Sequence, residues 1–242
     1  MENPYKINLI NLFESTNYYY HISYRIDNVL KKESKRLLQQ KTEFYTSNAL
    51  VIADWTGPTE DGWELPFHTN IYKTTNTDNY IEEMEKMKSR ENLLNLAQGF
   101  EVFQKFLKNC IVMKNPSVKK SDLKHNDKIL IKLKEEGGAT FEKFSSQNNN
   151  NFNFEKLFNM LLLLRHAITH SNSVIEKNKI VKDGYTEKLF KVLVPNAEFC
   201  KNEIVLHMNL HDLRSNMKIL NEFAFQIYKI FSIQEGLDYD WK

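Results

Sequence analysis

Apolar residues recur at spacings of three and four along most of this chain, which predicts a mainly helical protein. From Ile7 to about Gln40 there is no Gly or Pro. Phe13, Tyr20 and Tyr24, then Ile22, Ile26, Val29 and Leu30, keep that spacing, so one long helix is expected. A second begins near Asp78, with Tyr80, Met84, Met87, Leu94, Ala97, Phe100, Phe103 and Leu107 on its stripe and Gly99 as a weak point. Between them, Asp54 to Pro66 gathers two Gly, two Pro and four acids, a composition that no regular element accommodates.

Beyond Pro116 the chain turns lysine-rich, and Ser121 to Glu136 reads as a short helix ended by Gly137 and Gly138. Ser145 to Asn151 is a polar, low-complexity stretch expected to be a mobile loop. Asn153 then caps a helix from Phe154 to about His170, in which Leu157, Phe158, Met160 to Leu164, Ala167 and Ile168 leave almost no polar face. That helix is expected at the centre of the fold. Leu189 to Val194 and Glu203 to Leu206, parted by Pro195 and Asn196, read as a small β-hairpin. A last helix follows Asn209 as N-cap, with Asp212 in its first turn and a stripe from Leu213 to Phe231. The expected architecture is a helical bundle with a small β-hairpin insertion before the last helix.

Composition narrows the class. The 242 residues are 41% apolar and 26% charged, with 7 Gly and 5 Pro, too few breakers for a many-turned β-sandwich. The 33 basic residues against 31 acidic ones leave a formal +2, so there is no overall basic coat for nucleic acid. Two cysteines, Cys110 and Cys200, are too few for a disulfide scaffold and are expected to be packed thiols of a cytoplasmic protein. Residues Met1 to Leu12 lack a signal-peptide pattern, and no apolar run is longer than the five residues Met160 to Leu164, so neither a leader nor a membrane span is expected.

One segment departs from core logic. The most apolar helix ends in Arg165, His166, Ala167, Ile168, Thr169, His170, Ser171 and Asn172. Cations at a helix C-terminus complement the macrodipole by about 0.3–1 kcal/mol, which accounts for their sign. It does not account for their place on a helix expected to be sealed from water, where a guanidinium needs an anion, an acceptor or a route to solvent. A phosphate-binding cleft would supply one.

This Arg-x4-His pattern, at the end of an internal helix and before a Ser/Asn turn, resembles the R-x(4–6)-H motif of HEPN domains, with His166 where that family has Asn, Asp or His. The layout is similar too: an aromatic-rich helix around Phe100 to Leu107, the motif helix, a variable β excursion and an amphipathic last helix. The resemblance implies one domain over 1–242, with an N-terminal helical extension and loop over 1–78 and a HEPN core over 79–234. It further implies a homodimer whose motifs meet in a cleft and cleave RNA without a metal or other cofactor. His170 would be general base or acid, Arg165 the phosphate clamp and His166 a helper. Asn172, Lys119, Lys120 and Lys124 would contact RNA.

The family works in toxin–antitoxin and phage-defence systems, so an antitoxin or defence partner is a further expectation. The nucleotidyltransferase-paired subgroup commonly has Tyr two residues after the motif His; here Asn172 stands there, so control by adenylylation of that tyrosine is not expected. The competing reading is a non-catalytic HEPN-like module that binds RNA, a nucleotide or a protein.

The residue types suit RNA scission, which needs a proton acceptor near neutrality and a cation for the phosphoryl centre. Five residues at about 100° each place His170 roughly 140° around the helix from Arg165, so the two do not converge within one chain, whereas a two-fold partner brings two Arg and two His to one cleft. The lysines from Lys105 to Lys134 either attract the RNA backbone or form a solvated face. His166/His170 and His207/His211 are both i,i+4 pairs, but neither holds the Glu of a His-Glu-x-x-His metal signature. Tyr18 to Tyr20, Trp55 and Trp63 are core, interface or base-stacking candidates.

Overall fold

The structure is a computed structural model that describes residues 3–39, 50–52, 73–75, 77–148, 151–181 and 183–240. Helices α1 (Pro4–Gln39) and α2 (Thr77–Lys114) flank a hairpin of β1 (Leu50–Ile52) and β2 (Lys73–Thr75). Then come a 3-10 turn (Lys120–Leu123), α3 (Asn126–Ser146), α4 (Phe154–His170), β3 (Val174–Glu176), α5 (Lys177–Ile180), α6 (Gly184–Leu193), β4 (Glu198–Phe199), β5 (Glu203–Val205) and α7 (Leu210–Gln234). The protein is mainly α, as the hydrophobic periodicity predicts. The predicted loop from Asp54 to Pro66, with Trp55 and Trp63, lies outside the described residues.

The chain forms two compact units, Met1–Tyr24 with Ser89–Lys242, and Arg25–Lys88. In the smaller unit, Asp27 accepts charge from Lys31 at 2.6 Å and from the buried Lys88 at 3.5 Å. The larger unit is built on α4. Asn153 Oδ1 accepts the Lys156 N–H at 2.9 Å and starts that helix, and the Ser171 N–H donates to Ala167 O at its end. Phe154, Leu157, Phe158, Leu161, Leu164 and Ile168 recur every three or four residues and are buried. The Phe154 ring lies 5.5 Å from Phe141, 5.5 Å from Phe223 and 6.4 Å from Phe103, joining α4 to α3, α7 and α2. At Gly99 a Cβ would lie 2.7 Å from the Met217 thioether, so the expected weak point of α2 is a close approach to α7.

Three expectations about elements change. Leu189 to Val194 is not a strand: Leu189 to Leu193 close α6, and Val194 is its C-cap. Asp183 caps that helix by accepting the Thr186 N–H at 2.8 Å, and the adjacent Leu189 and Phe190 are both buried, which alternation cannot achieve but a helix face can. The hairpin before the last helix is instead β4 with β5, and β3 adds a third antiparallel strand on β5, pairing Val174 with Val205 and Glu176 with Glu203.

Gly137 and Gly138 do not end α3. Gly138 takes φ 54° as a kink, and the helix resumes to Ser146 because Phe141 and Ser145 are buried. The expected loop from Ser145 is therefore shorter. Ser145 and Ser146 are helical, and Asn148 Nδ2 donates to Phe144 O at 3.2 Å and to Phe152 O at 2.5 Å.

Candidate functional site

The C-terminal end of α4 is open to solvent. His166, Thr169, His170, Ser171 and Asn172 are exposed. Arg165 keeps 36% of its side chain exposed, so it is not the sealed charge that a run of leucines suggests. Leu162 and Leu163 are themselves only partly buried, and with Lys156 and Asn159 they leave α4 one wet strip that ends in the histidines.

His166 and His170 stand one helical turn apart with ring centroids 5.1 Å from each other. Arg165 points elsewhere: its Nε and Nη2 both donate to Glu101 Oε1 on α2, at 2.9 Å and 2.5 Å. Half of the Glu101 side chain is exposed, which makes this a surface pair whose partners can be exchanged at small cost. Among the described residues no hydrogen bond or ion pair joins Arg165 to either histidine, in keeping with the roughly 140° between Arg165 and His170.

After His170 the chain turns through two residues in the left-handed region, Asn172 at φ 48° and Ser173 at φ 63°. The turn is tied on both sides: the Ser173 N–H donates to Ala167 O, and Ser173 O accepts the Leu206 N–H, each at 2.9 Å. The helix tip is thereby held against the three-stranded sheet. A cleft of about 280 Å³ opens there, lined by Leu163, His166, Ser171, Glu176, Lys179 and Glu203 among others. Lys179 Nζ donates to Glu176 Oε1 at 2.9 Å, which offsets the like charges of the directly paired Glu176 and Glu203.

The remaining predicted residues are more dispersed. Asn172 is exposed beside the motif. Lys119, Lys120 and Lys124 are exposed around the 3-10 turn, and Asn126, two residues after Lys124, accepts from Gln104 on α2 at 2.8 Å. Gln104 is about one helical turn of α2 beyond Glu101, so the start of α3 and the Arg165 pair share one stretch of that helix. Lys114, Lys132 and Lys134 pair with Glu235, Glu135 and Glu155. His207 lies 3.6 Å from Glu198, and among the described residues no group of three or more His, Cys, Asp and Glu is placed to hold a metal ion.

Cys110 is packed as expected, and burial pushes its thiol pKa up, whereas Cys200 is exposed, because the sheet ends at Phe199 and leaves it in the turn before Glu203. Tyr18 is exposed, while Tyr19 and Tyr20 pack partly against the core.

Glu101 is the partner that sequence reasoning missed. It is the only carboxylate between Glu91 and Lys114, and a lone acid in a stretch of helix whose other charges are all basic is the signal that marks it. No family model, curated protein or solved structure matches this chain.

Proposed function

We propose that the end of α4 is the cleavage site of a metal-independent, HEPN-type endoribonuclease acting as a homodimer in the cytoplasm, in a toxin or phage-defence setting. The observation that carries this reading is the exposed tip itself. Two imidazoles 5.1 Å apart and a guanidinium restrained only by a surface carboxylate stand at the solvent-open end of the central helix.

In the proposed reaction a His170 imidazole removes the proton of the RNA 2′-hydroxyl, and O2′ bonds to the adjacent phosphorus. The bond from phosphorus to the 5′-oxygen breaks, and that oxygen takes a proton from an imidazolium, supplied in a two-fold cleft by the second copy of His170. Arg165 leaves Glu101 for the phosphoryl oxygens and balances the added negative charge. His166 orients the neighbouring ring or the RNA, and Asn172, Lys124, Lys119 and Lys120 hold the strand.

Incubation of the purified protein with single-stranded and structured RNA in EDTA tests this. The expected products carry a 2′,3′-cyclic phosphate and a 5′-hydroxyl. Absence of cleavage under every condition, or cleavage abolished by EDTA and restored by a divalent ion, overturns it.

The second reading, a non-catalytic binding module, draws on the Glu101 contact, since a clamp already compensated has less need of phosphate. The two diverge in Glu101→Gln. For a clamp that must change partners, RNA affinity measured by anisotropy in a His170→Ala background rises by up to about fivefold, the equivalent of a surface pair of ~1 kcal/mol. Unchanged affinity favours the second reading.

A further inference from the structure

The cleft of about 280 Å³ beside the α4 tip is acidic where the tip itself is basic. Val174 and Glu176 alternate with the buried Ile175, and Glu203 and Val205 with the buried Ile204, so the paired Glu176 and Glu203 side chains stand together on one face of the sheet. Val174, Glu176 and Glu203 line the cleft with Leu163 and His166 of α4.

The two carboxylates are not equivalent. Lys179 Nζ donates to Glu176 Oε1 at 2.9 Å, whereas the Glu203 side chain forms no hydrogen bond or ion pair among the described residues. Like charges in direct register cost stability, and here one of the two is left uncompensated. Lys177 and Lys201 line a neighbouring concavity that shares Glu176 with the cleft, so their charges stand at its side.

Charge decides what can enter. With the carboxylates of Glu176 and Glu203 against the ammonium of Lys179, the cleft repels a phosphate but accepts N–H donors. Its volume falls just short of the range that drug-sized ligands occupy and suits a single base. His166 belongs both to the cleft and to the imidazole pair, so a base held there is joined to a phosphate at the tip.

Among the RNA bases, guanine alone presents two parallel donors, N1–H and the N2 amino group, which a carboxylate receives with both oxygens, and its O6 beside them accepts from an ammonium. Adenine and cytosine place a ring-nitrogen acceptor next to their amino group, and uracil flanks its N3–H with two carbonyls, so each sets a lone pair against a carboxylate oxygen. On the reading of the α4 end as a cleavage site, we propose that Glu203 sets its base specificity: it holds a guanine next to the scissile phosphate through N1–H and N2, with Lys179 at O6.

Two measurements on the full chain test this. Sequencing of the cyclic-phosphate ends released from a random-sequence RNA pool should show cuts next to guanine about 10–100-fold more often than next to other bases, the discrimination of one bidentate pair. Glu203→Gln, whose amide turns one acceptor into a donor, should remove that preference. The second measurement is anisotropy of a short oligonucleotide on His170→Ala, which reads binding without turnover. Exchanging its single guanine for inosine, which lacks the N2 amino group, should weaken binding about tenfold. The exchange should have little effect in the double variant with Glu203→Gln, because both changes act on the same pair. Glu203 is exposed and its replacement relieves a like-charge pair, so the melting temperature should be equal or higher.

A guanine preference lost in Glu203→Gln in either measurement supports the assignment. A preference that survives Glu203→Gln, or none in either measurement, overturns it. Cleavage without base preference leaves the nuclease reading intact while Glu203 loses its role. If no RNA is cut but the inosine effect is present in His170→Ala and absent in the double variant, the nuclease reading falls and the guanine contact stands.

Discussion

Replacing His170 with alanine is expected to slow RNA cleavage by about 10²–10⁴-fold, the usual contribution of a positioned acid or base. Arg165→Ala is expected to slow it by about 10²–10³-fold through loss of transition-state charge stabilisation. His170 is exposed and Arg165 is held only by a surface carboxylate, so both variants should keep the wild-type melting temperature. The geometry adds a sharper test. Within one chain the guanidinium pairs with Glu101 on α2 and no hydrogen bond or ion pair among the described residues joins it to the imidazoles, so in the proposed homodimer Arg of one protomer works with His of the other. Mixed dimers of Arg165→Ala and His170→Ala subunits should then regain part of the lost activity, since one Arg and one His meet again across the two-fold axis, with water standing in for the missing second imidazole. Mixtures no more active than either parent would sink the two-chain cleft, and parent variants of undiminished activity would place the chemistry elsewhere.

The largest effect on stability is expected from Phe154→Ala, at about 3–5 kcal/mol, read as a lower urea midpoint with an unchanged slope. Phe154 is 1% exposed, and its ring meets Phe103, Phe141, Phe144, Phe158 and Phe223 within 6.4 Å. Removing it opens a void where four helices meet, and those rings belong to separate backbones that cannot all close in. Phe154→Leu, which fills most of the space, should recover much of the loss. A cost near 1 kcal/mol for the alanine variant would mean that the centre repacks freely.

The helices were legible because their start signals are local. Asn153 and Asn209 each accept an N–H three residues on, and the stripes that follow bury as periodicity requires. Asp183 gives the same signal, but α6 has only ten residues and its closing Leu, Phe, Val and Leu mimic a strand. The run from Met160 to Leu164 misled in another way. Consecutive apolar residues imply burial on every side, yet Leu162 and Leu163 sit on the wet strip, which changes Arg165 from an enclosed charge into a surface one. The Glu101 contact depends on how α2 and α4 are packed, and no spacing along the chain encodes it.

The turn after α4 has a consequence for what occupies it. Glycine would enter the left-handed region without steric cost at both Asn172 and Ser173, yet neither position is glycine. Ser173 lies inside the protein, where its backbone bridges helix and sheet. Asn172 has no such enclosure. An asparagine is among the few L-residues that accept this backbone, so the fold can display an amide at the outermost point of the helix end without sacrificing the bend that holds it there.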